Sequence, residues 1–320
     1  MQLDLKDRKI LYELDTDSRQ AYKTIAKKVG LSKDAVKYRI NNMQATGLVK
    51  QFHTVIDTGK LGFISFRLFL KLQNTTPEKE AEIIEFLKAQ KAVTWLVSIE
   101  GEYDIGMWIL VKDITEVNKL WKDLLANYMN FIEKRWLCVF TRVSYFPRAY
   151  LLHKEKNTEE YVFITEPQDA GIDEKDMKLL RILAPNARVS ILELSGKLHM
   201  TPKTVAARIK KLEKKGVIVG YRTAFDLEML GYQHFKLHIN LQNITEEKVC
   251  QFRAYVKQHP NIIYDNEVLG GDDFEIEIQV SGMEEFRGVI NDIKARFAGI
   301  IKNYRYMIFY REHKFLFLPV

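Results

Sequence analysis

The sequence predicts an α+β protein in which one plan is used twice: a helix-turn-helix unit, a ferredoxin-like βαββαβ unit, then both again. Three observations predict it. The first is an internal repeat displaced by 169 positions. Asp7-Arg-Lys-Ile-Leu11 returns as Asp176-Met-Lys-Leu-Leu180, and the same displacement carries Arg19 to Arg188, Arg39 to Arg208, Gly47 to Gly216, Gly101 to Gly270 and Asp104 to Asp273 without a gap. A period this long marks duplicated units of domain size, because solenoid repeats run to about 20–50 residues. The second is a set of three short helical periods opening each half. The third is the strand–helix–strand–strand–helix–strand order that follows them.

Taken in order, Asp4 is suited to cap a first helix in which Ile10, Leu11 and Leu14 recur at helical spacing. A second helix covers Tyr22–Val29 and is broken by Gly30-Leu31-Ser32, where Gly30 supplies a permissive turn backbone and Ser32 an N-cap. The third helix turns Val36, Ile40 and Met43 inward. Beyond Gly47, Leu48–Phe52 reads as extended. Then come a strand at Phe63–Leu72, a helix at Pro77–Gln90, strands at Val93–Ile99 and Ile105–Val111, a helix at Ile114–Asn127 and a closing strand at Ile132–Val143. The second copy repeats this with Asp173 as cap, Leu179, Leu180 and Leu183 inward, Thr201-Pro202 opening its third helix, and Val217–Tyr221 extended. A ferredoxin-like sheet has one face covered by helices and needs a partner for the other; a duplicated chain supplies it, so the two units are expected to pair sheet to sheet as an intramolecular pseudo-dimer able to dimerise further. The expected boundaries are 1–60, 61–152, a polar linker at 153–171, 172–229 and 230–320.

With 47% hydrophobic and 28% charged residues, the composition is globular, and two cysteines, Cys138 and Cys250, exclude a disulfide framework. The apolar runs are short and interrupted and no leader pattern opens the chain, so a soluble cytoplasmic protein with no membrane partner is expected. The net charge of +7 is unevenly spread: residues 1–60 carry +5, residues 172–226 carry +6, and the remainder is acidic. Two basic segments at equivalent places point to two modules that meet a polyanion. On the outward face of the third helix stand Ser32, Lys33, Lys37, Tyr38, Arg39 and Asn41 in the first copy, and Thr201, Lys203, Thr204, Arg208 and Lys211 in the second. Lys and Arg donate to guanine or phosphate and Asn pairs with adenine, so these residues are candidates for contacts to double-stranded DNA. Because the two faces differ, the half-sites they would read should differ too. An ordinary solvated helix face also carries Lys and Asn.

Leu3–Leu11, Arg19, Ile25-Ala26, Val29-Gly-Leu-Ser32, Arg39-Ile40, Gly47-Leu48-Val49, Leu61-Gly62 and Gly101-Glu-Tyr-Asp104 resemble the leucine-responsive regulator (Lrp/AsnC) family of transcription factors, and the second half repeats the match. The resemblance implies a DNA-binding regulator in tandem-duplicated form, modulated by a small effector such as an amino acid, and no enzyme. It also implies an effector site at Gly101, Tyr103 and Asp104, with Gly270 and Asp273 as the second copy's positions, where Asp272 stands in place of Tyr103. A strand-connecting turn calls for Gly and Asp as well. Two alternatives remain: a sirohaem-decarboxylase-like tetrapyrrole enzyme, which resembles the same two-domain plan, and an amino-acid sensor without DNA binding. No metal, cofactor or catalytic residues are expected. His234 and His238 read as packed histidines without an acidic cluster beside them, and Glu275 and Glu277 as the solvated face of a strand.

Overall fold

The computed structural model describes residues 3–152, 160–164 and 166–319. The first head is three helices, α1 (Leu5–Thr16), α2 (Tyr22–Val29) and α3 (Lys33–Ala45). Asp4 caps α1 through a reciprocal box with Asp7, Gly30 closes α2 in the left-handed region at φ +68°, and Ser32 caps α3. Ile10, Leu14, Ile25, Val36 and Ile40 meet with no exposure, so the apolar spacing read from sequence is the core of the head. Strand β1 (Val49–Ile56) leaves this head, followed by β2 (Ile64–Leu72), α4 (Pro77–Ala89), β3 (Val93–Glu100), β4 (Ile105–Val111), α5 (Ile114–Tyr128) and β5 (Ile132–Tyr145).

After a short strand, β6 (Tyr161–Phe163), the second head consists of α6 (Glu174–Leu183), α7 (Ile191–Leu198) and α8 (Pro202–Lys214). Asp173 and Asp176 repeat the capping box, and His199 takes the left-handed turn position held by Gly30 in the first head. Then come β7 (Ile218–Phe225), α9 (Leu227–Leu230), β8 (Gln233–Leu241), α10 (Glu246–Gln258), β9 (Ile262–Leu269), β10 (Phe274–Val280), α11 (Met283–Phe297) and β11 (Ile301–Phe315). Every expected strand and helix is present, with ends shifted by a few residues.

The heads are joined by an antiparallel ribbon of β1 and β7, paired from Val49↔Phe225 to Ile56↔Ile218 with a register shift near each end. They are also locked by a reciprocal pair. Arg19 Nη1 donates to the carbonyls of Ala187 and Val189, and Arg188 Nη1 donates to the carbonyl of Ser18 at 2.6 Å. Arg19 and Arg188 are equivalent in the repeat, so each head grips the other with the same residue.

The remaining strands correct the expectation of two sheets packed face on face. β5-β2-β4-β3 and β11-β8-β10-β9 join edge to edge, β11 to β3 and β5 to β9, and close an antiparallel eight-stranded barrel. Joining edges satisfies backbone groups that a sandwich leaves open, and closure removes every free edge along the shared length. Alternation then sends one face of each strand outward under helices. Phe66, Leu68 and Leu70 pack with α4 and α5, and Phe235, Leu237 and Ile239 with α10 and α11. The other face points into the barrel.

That inner face carries the second correction. Glu275 and Glu277 are not solvated: they lie inside the barrel at 0% and 6% exposure. Arg67 makes a bidentate ion pair with Glu275, and Lys236 lies 3.3 Å from both Glu275 and Glu277. The displacement of 169 sets Ser65, Arg67, Phe69, Gly106, Trp108 and Leu110 against His234, Lys236, His238, Glu275, Glu277 and Gln279. Apart from Ser65 and Arg67, the positions from the first half are apolar or aromatic, whereas all six from the second half are polar or ionisable.

The stretch read as a linker is partly built into the fold. Residues 153–159 lie outside the described residues, but β6 pairs with Val143–Tyr145 of β5, and Gln168 and Ala170 donate to the carbonyls of Gly59 and Lys60.

Candidate nucleic-acid interface and interior cleft

In the first head, Ser32, Lys33, Lys37, Tyr38 and Asn41 are exposed along one side of α3, Tyr38 to 74%. A tyrosine presented that fully on a helix has no packing role in the chain. In the second, Thr201, Lys203, Thr204 and Lys211 are exposed on α8, with the Thr201 and Thr204 hydroxyls bonded to each other at 2.9 Å and Lys211 3.2 Å from Asp176. Arg39 and Arg208 differ from the rest. Arg39 Nη1 binds Asp4 at 2.8 Å and Asp7 at 2.6 Å; Arg208 Nη1 binds Asp173 at 2.8 Å and Asp176 at 2.6 Å. Hydrogen bonds donated to the capping carboxylates raise both guanidinium pKa values, Asp4 before Asp7 and Asp173 before Asp176. These arginines tie the third helix of each head to the N-terminus of its first.

The loops at 101–104 and 270–273 occupy equivalent barrel turns. Asp104 accepts the Leu72 backbone N–H at 2.6 Å and Lys71 Nζ at 2.7 Å, and Asp273 accepts the Leu241 N–H at 2.7 Å. Gly101 has φ +139° and Gly270 φ +80°, backbone that favours glycine. Tyr103 is buried, stacked near Phe69 and Trp136. The polar groups of both Asp residues thus close β2 and β8. Asp272 does bring an acidic group to His238, with Nδ1–Oδ2 at 3.1 Å and Glu275 nearby, which the sequence reading did not anticipate. Those carboxylates are held by Arg305, at 2.8 Å from Asp272, and by Arg67, so the cluster is already charge-compensated.

Between the ribbon and the barrel mouth lies a cleft of about 640 Å3, the size of small-molecule sites. Trp95, Trp108, Phe309 and Phe315 wall it, and His53 and Arg148 line its ribbon side. His53 is 1% exposed and neither ring nitrogen has a hydrogen-bond partner. Burial, then the charges of Arg222 and Arg148, push its pKa well down, so the ring is neutral. Arg148 Nε donates to Gln279 at 2.9 Å, and its Nη1 binds Asp15. Asp15 is fully buried and also accepts Arg222 Nη2 at 2.8 Å, so two guanidiniums share one carboxylate. On the barrel side, burial opposes ionisation of Glu277, but Lys236 and a hydrogen bond from His234 bring its pKa down to about 2.

Residues 3–44 match the AsnC-type helix-turn-helix domain, and residues 172–219 match a winged helix-turn-helix DNA-binding domain. Over 122 residues the chain is 30% identical to the proline dehydrogenase transcriptional activator of Rhodobacter capsulatus, covering 38% of this chain and 79% of that one. The chain belongs to the Lrp/AsnC family of transcriptional regulators. The transcriptional regulator AzlB of Bacillus subtilis is 31% identical over 122 residues (38% of this chain, 78% of that one), and the leucine-responsive regulatory protein of Haemophilus influenzae is 26% identical over 152 residues (47% and 92%). The matches cover between 38% and 47% of this Lrp/AsnC chain. Over its whole length the fold matches the siroheme decarboxylase NirDL, with TM-score 0.62 and 14% identity, covering 98% of this chain and 94% of that one. At that identity the likeness is one of fold.

Among the described residues of this Lrp/AsnC chain, no helix is long and apolar enough to cross a membrane. The cleft is the part of the molecule that sequence reasoning missed. A signal existed: His53 stands where the second copy has Arg222, and Arg148 where it has Phe317, so comparing the copies position by position marks these sites as divergent inside a repeat.

Proposed function

We propose that the chain is a sequence-specific, DNA-binding transcriptional regulator in which two fused Lrp/AsnC units, with the boundaries given above, form an intramolecular pseudo-dimer modulated by a small effector. The observation that carries this reading is the pair of basic, exposed third helices, α3 and α8, held in fixed relation by the β1–β7 ribbon and the Arg19–Arg188 exchange. A rigid pair of heads suits two half-sites at set spacing. Lys33, Lys37, Tyr38 and Asn41 differ from Lys203, Thr204 and Lys211, so the two half-sites are unlike. The test is selection of bound fragments from random duplex DNA, followed by affinity titration at several salt concentrations. Lys37→Ala is expected to cost about 1–3 kcal/mol concentrated at one base position if it reads a base, or a uniform loss with a shallower salt slope if it binds phosphate. No salt-sensitive binding to any duplex overturns the reading.

A second reading, a tetrapyrrole-transforming enzyme, is favoured by one observation: the full-length likeness to a siroheme decarboxylase coincides with an interior cleft containing His53 and lined by His234. An intense visible absorption band on adding sirohaem, with product formed, supports it. Unchanged spectra exclude it.

A further inference from the structure

Two equivalent clefts separate the ribbon from the barrel mouth, and the described residues fill only one. In the filled cleft, β6 pairs with Val143–Tyr145, and the Tyr161 ring rests on Gly220, where any Cβ would overlap it. Arg222 lies 5.3 Å from that ring, and Phe163 is buried against Phe317. Displacement by 169 moves Val143–Tyr145 to Glu312–Lys314 and exchanges Arg222 for His53. There the pairing of β11 with β8 stops at Phe309, and the space that β6 would take is the 640 Å3 cleft.

We propose that this open cleft is a binding site for one planar aromatic carboxylate per chain, and that such a ligand is the effector; the effector step rests on the DNA-binding reading, the binding step does not. Three features select the ligand. Trp95, Trp108, Phe309 and Phe315 present ring faces and edges, which favour a flat conjugated body. His53 is buried with two unsatisfied nitrogens, and a ligand oxygen supplies the missing partner. Arg148 and Arg222 share Asp15 alone, which leaves one positive charge beneath the cleft, and Arg148 Nη2 has no partner among the described residues. The other ionisable groups lining the cleft are Lys50, paired with Asp226 at 3.0 Å, Glu277, paired with Lys236 and His234, Glu312, which accepts the Trp95 indole N–H at 2.8 Å, and the exposed Glu228 and Arg311. The Gly101–Asp104 turn is not part of this cleft.

The walls belong to two bodies. Lys50, His53 and Phe225 are on the ribbon that carries the heads, whereas Trp95, Trp108 and Phe309 are on the barrel. A ligand touching both favours one arrangement of heads over barrel, and by linkage DNA must change ligand affinity by the same factor.

The probe is 2-naphthoate, with 2-naphthamide as its uncharged counterpart, titrated into the full chain and followed by tryptophan fluorescence and calorimetry. The expected result is one equivalent of 2-naphthoate per chain, the amide binding roughly tenfold more weakly for want of one charge-assisted contact. His53→Leu, which removes an unpaired buried polar ring, should lower affinity roughly tenfold without lowering the urea midpoint. Ala224→Phe, which fills the cleft from the half-exposed ribbon side, provides a second variant should His53→Leu fail to fold. No binding, two equal sites, or affinity unchanged by both variants overturns the site. Saturating 2-naphthoate should also shift DNA affinity by about threefold or more, and His53→Leu should abolish that shift. Naphthoate binding without any DNA binding leaves the site standing and fails the regulator reading; binding of both without coupling overturns the effector step.

Discussion

Asp15 is a buried carboxylate on which three parts of the chain converge. It leaves the end of α1 fully buried, accepts the Arg148 backbone N–H at 2.7 Å and Arg148 Nη1, and accepts Arg222 Nη2 at 2.8 Å. One side chain thereby joins the first head, the segment after β5 and the ribbon strand of the second head. Asp15→Asn keeps the shape but removes the negative charge that two buried guanidiniums share. Each lost charge-assisted hydrogen bond is worth about 1.5–3 kcal/mol, and an uncompensated buried charge brings the total to about 3–5 kcal/mol. For comparison, the exposed pair Lys28–Glu13 should contribute no more than about 1 kcal/mol. The assay is urea unfolding at constant pH followed by tryptophan fluorescence and far-UV circular dichroism. The double variant Asp15→Asn/Arg222→Met should recover part of the loss, since it removes one of the two stranded charges. A loss below about 1 kcal/mol for Asp15→Asn, or no recovery in the double variant, refutes the argument that this triad fastens heads to barrel.

Arg208→Ala should destabilise the chain by about 1–3 kcal/mol, because the fully buried Asp176 carboxylate loses its guanidinium, whereas exposed Lys37→Ala should stay within about 0.5 kcal/mol in the same unfolding assay. Equal stability of the two variants would make Arg208 a surface residue in solution. Burial raises the Asp265 carboxyl to about 6 from its ordinary 3.8, so the folded chain keeps a proton that the unfolded chain has released. Stability is therefore lost as pH rises from about 4 to 6, by up to about 3 kcal/mol, and Asp265→Asn should be the more stable protein at pH 7 but not at pH 4. A pH-independent difference between the two in urea midpoint contradicts this. Gly220→Val drives a side chain into the Tyr161 ring and should expel β6, costing about 1–3 kcal/mol and exposing residues around 161–163 to limited proteolysis; unchanged cleavage counts against β6 as a plug.

The local chemistry was legible in the sequence. Asp4 and Asp173 as caps, Gly30 and Ser32 as punctuation, and Val36, Ile40 and Met43 as a buried stripe act over three or four residues, where spacing alone fixes which groups meet. The repeat was legible for the same reason, since equal patterns fold into equal elements. Tertiary structure decided the rest. Alternation along β10 separates Phe274 and Ile276 from Glu275 and Glu277 but does not say which face is interior. The charged face lies inside because Arg67, 208 positions away, arrives from the other half to neutralise it. Arg39 and Arg208 look like DNA contacts in a linear pattern, yet the fold brings capping carboxylates within 2.6–2.9 Å of them. The cleft, likewise, is made of residues from β1, β3, β4 and β11 that share no sequence motif. It exists because the chain closes a barrel edge to edge and, among the described residues, lays a further strand, β6, beside β5 and none at the equivalent place beside β11.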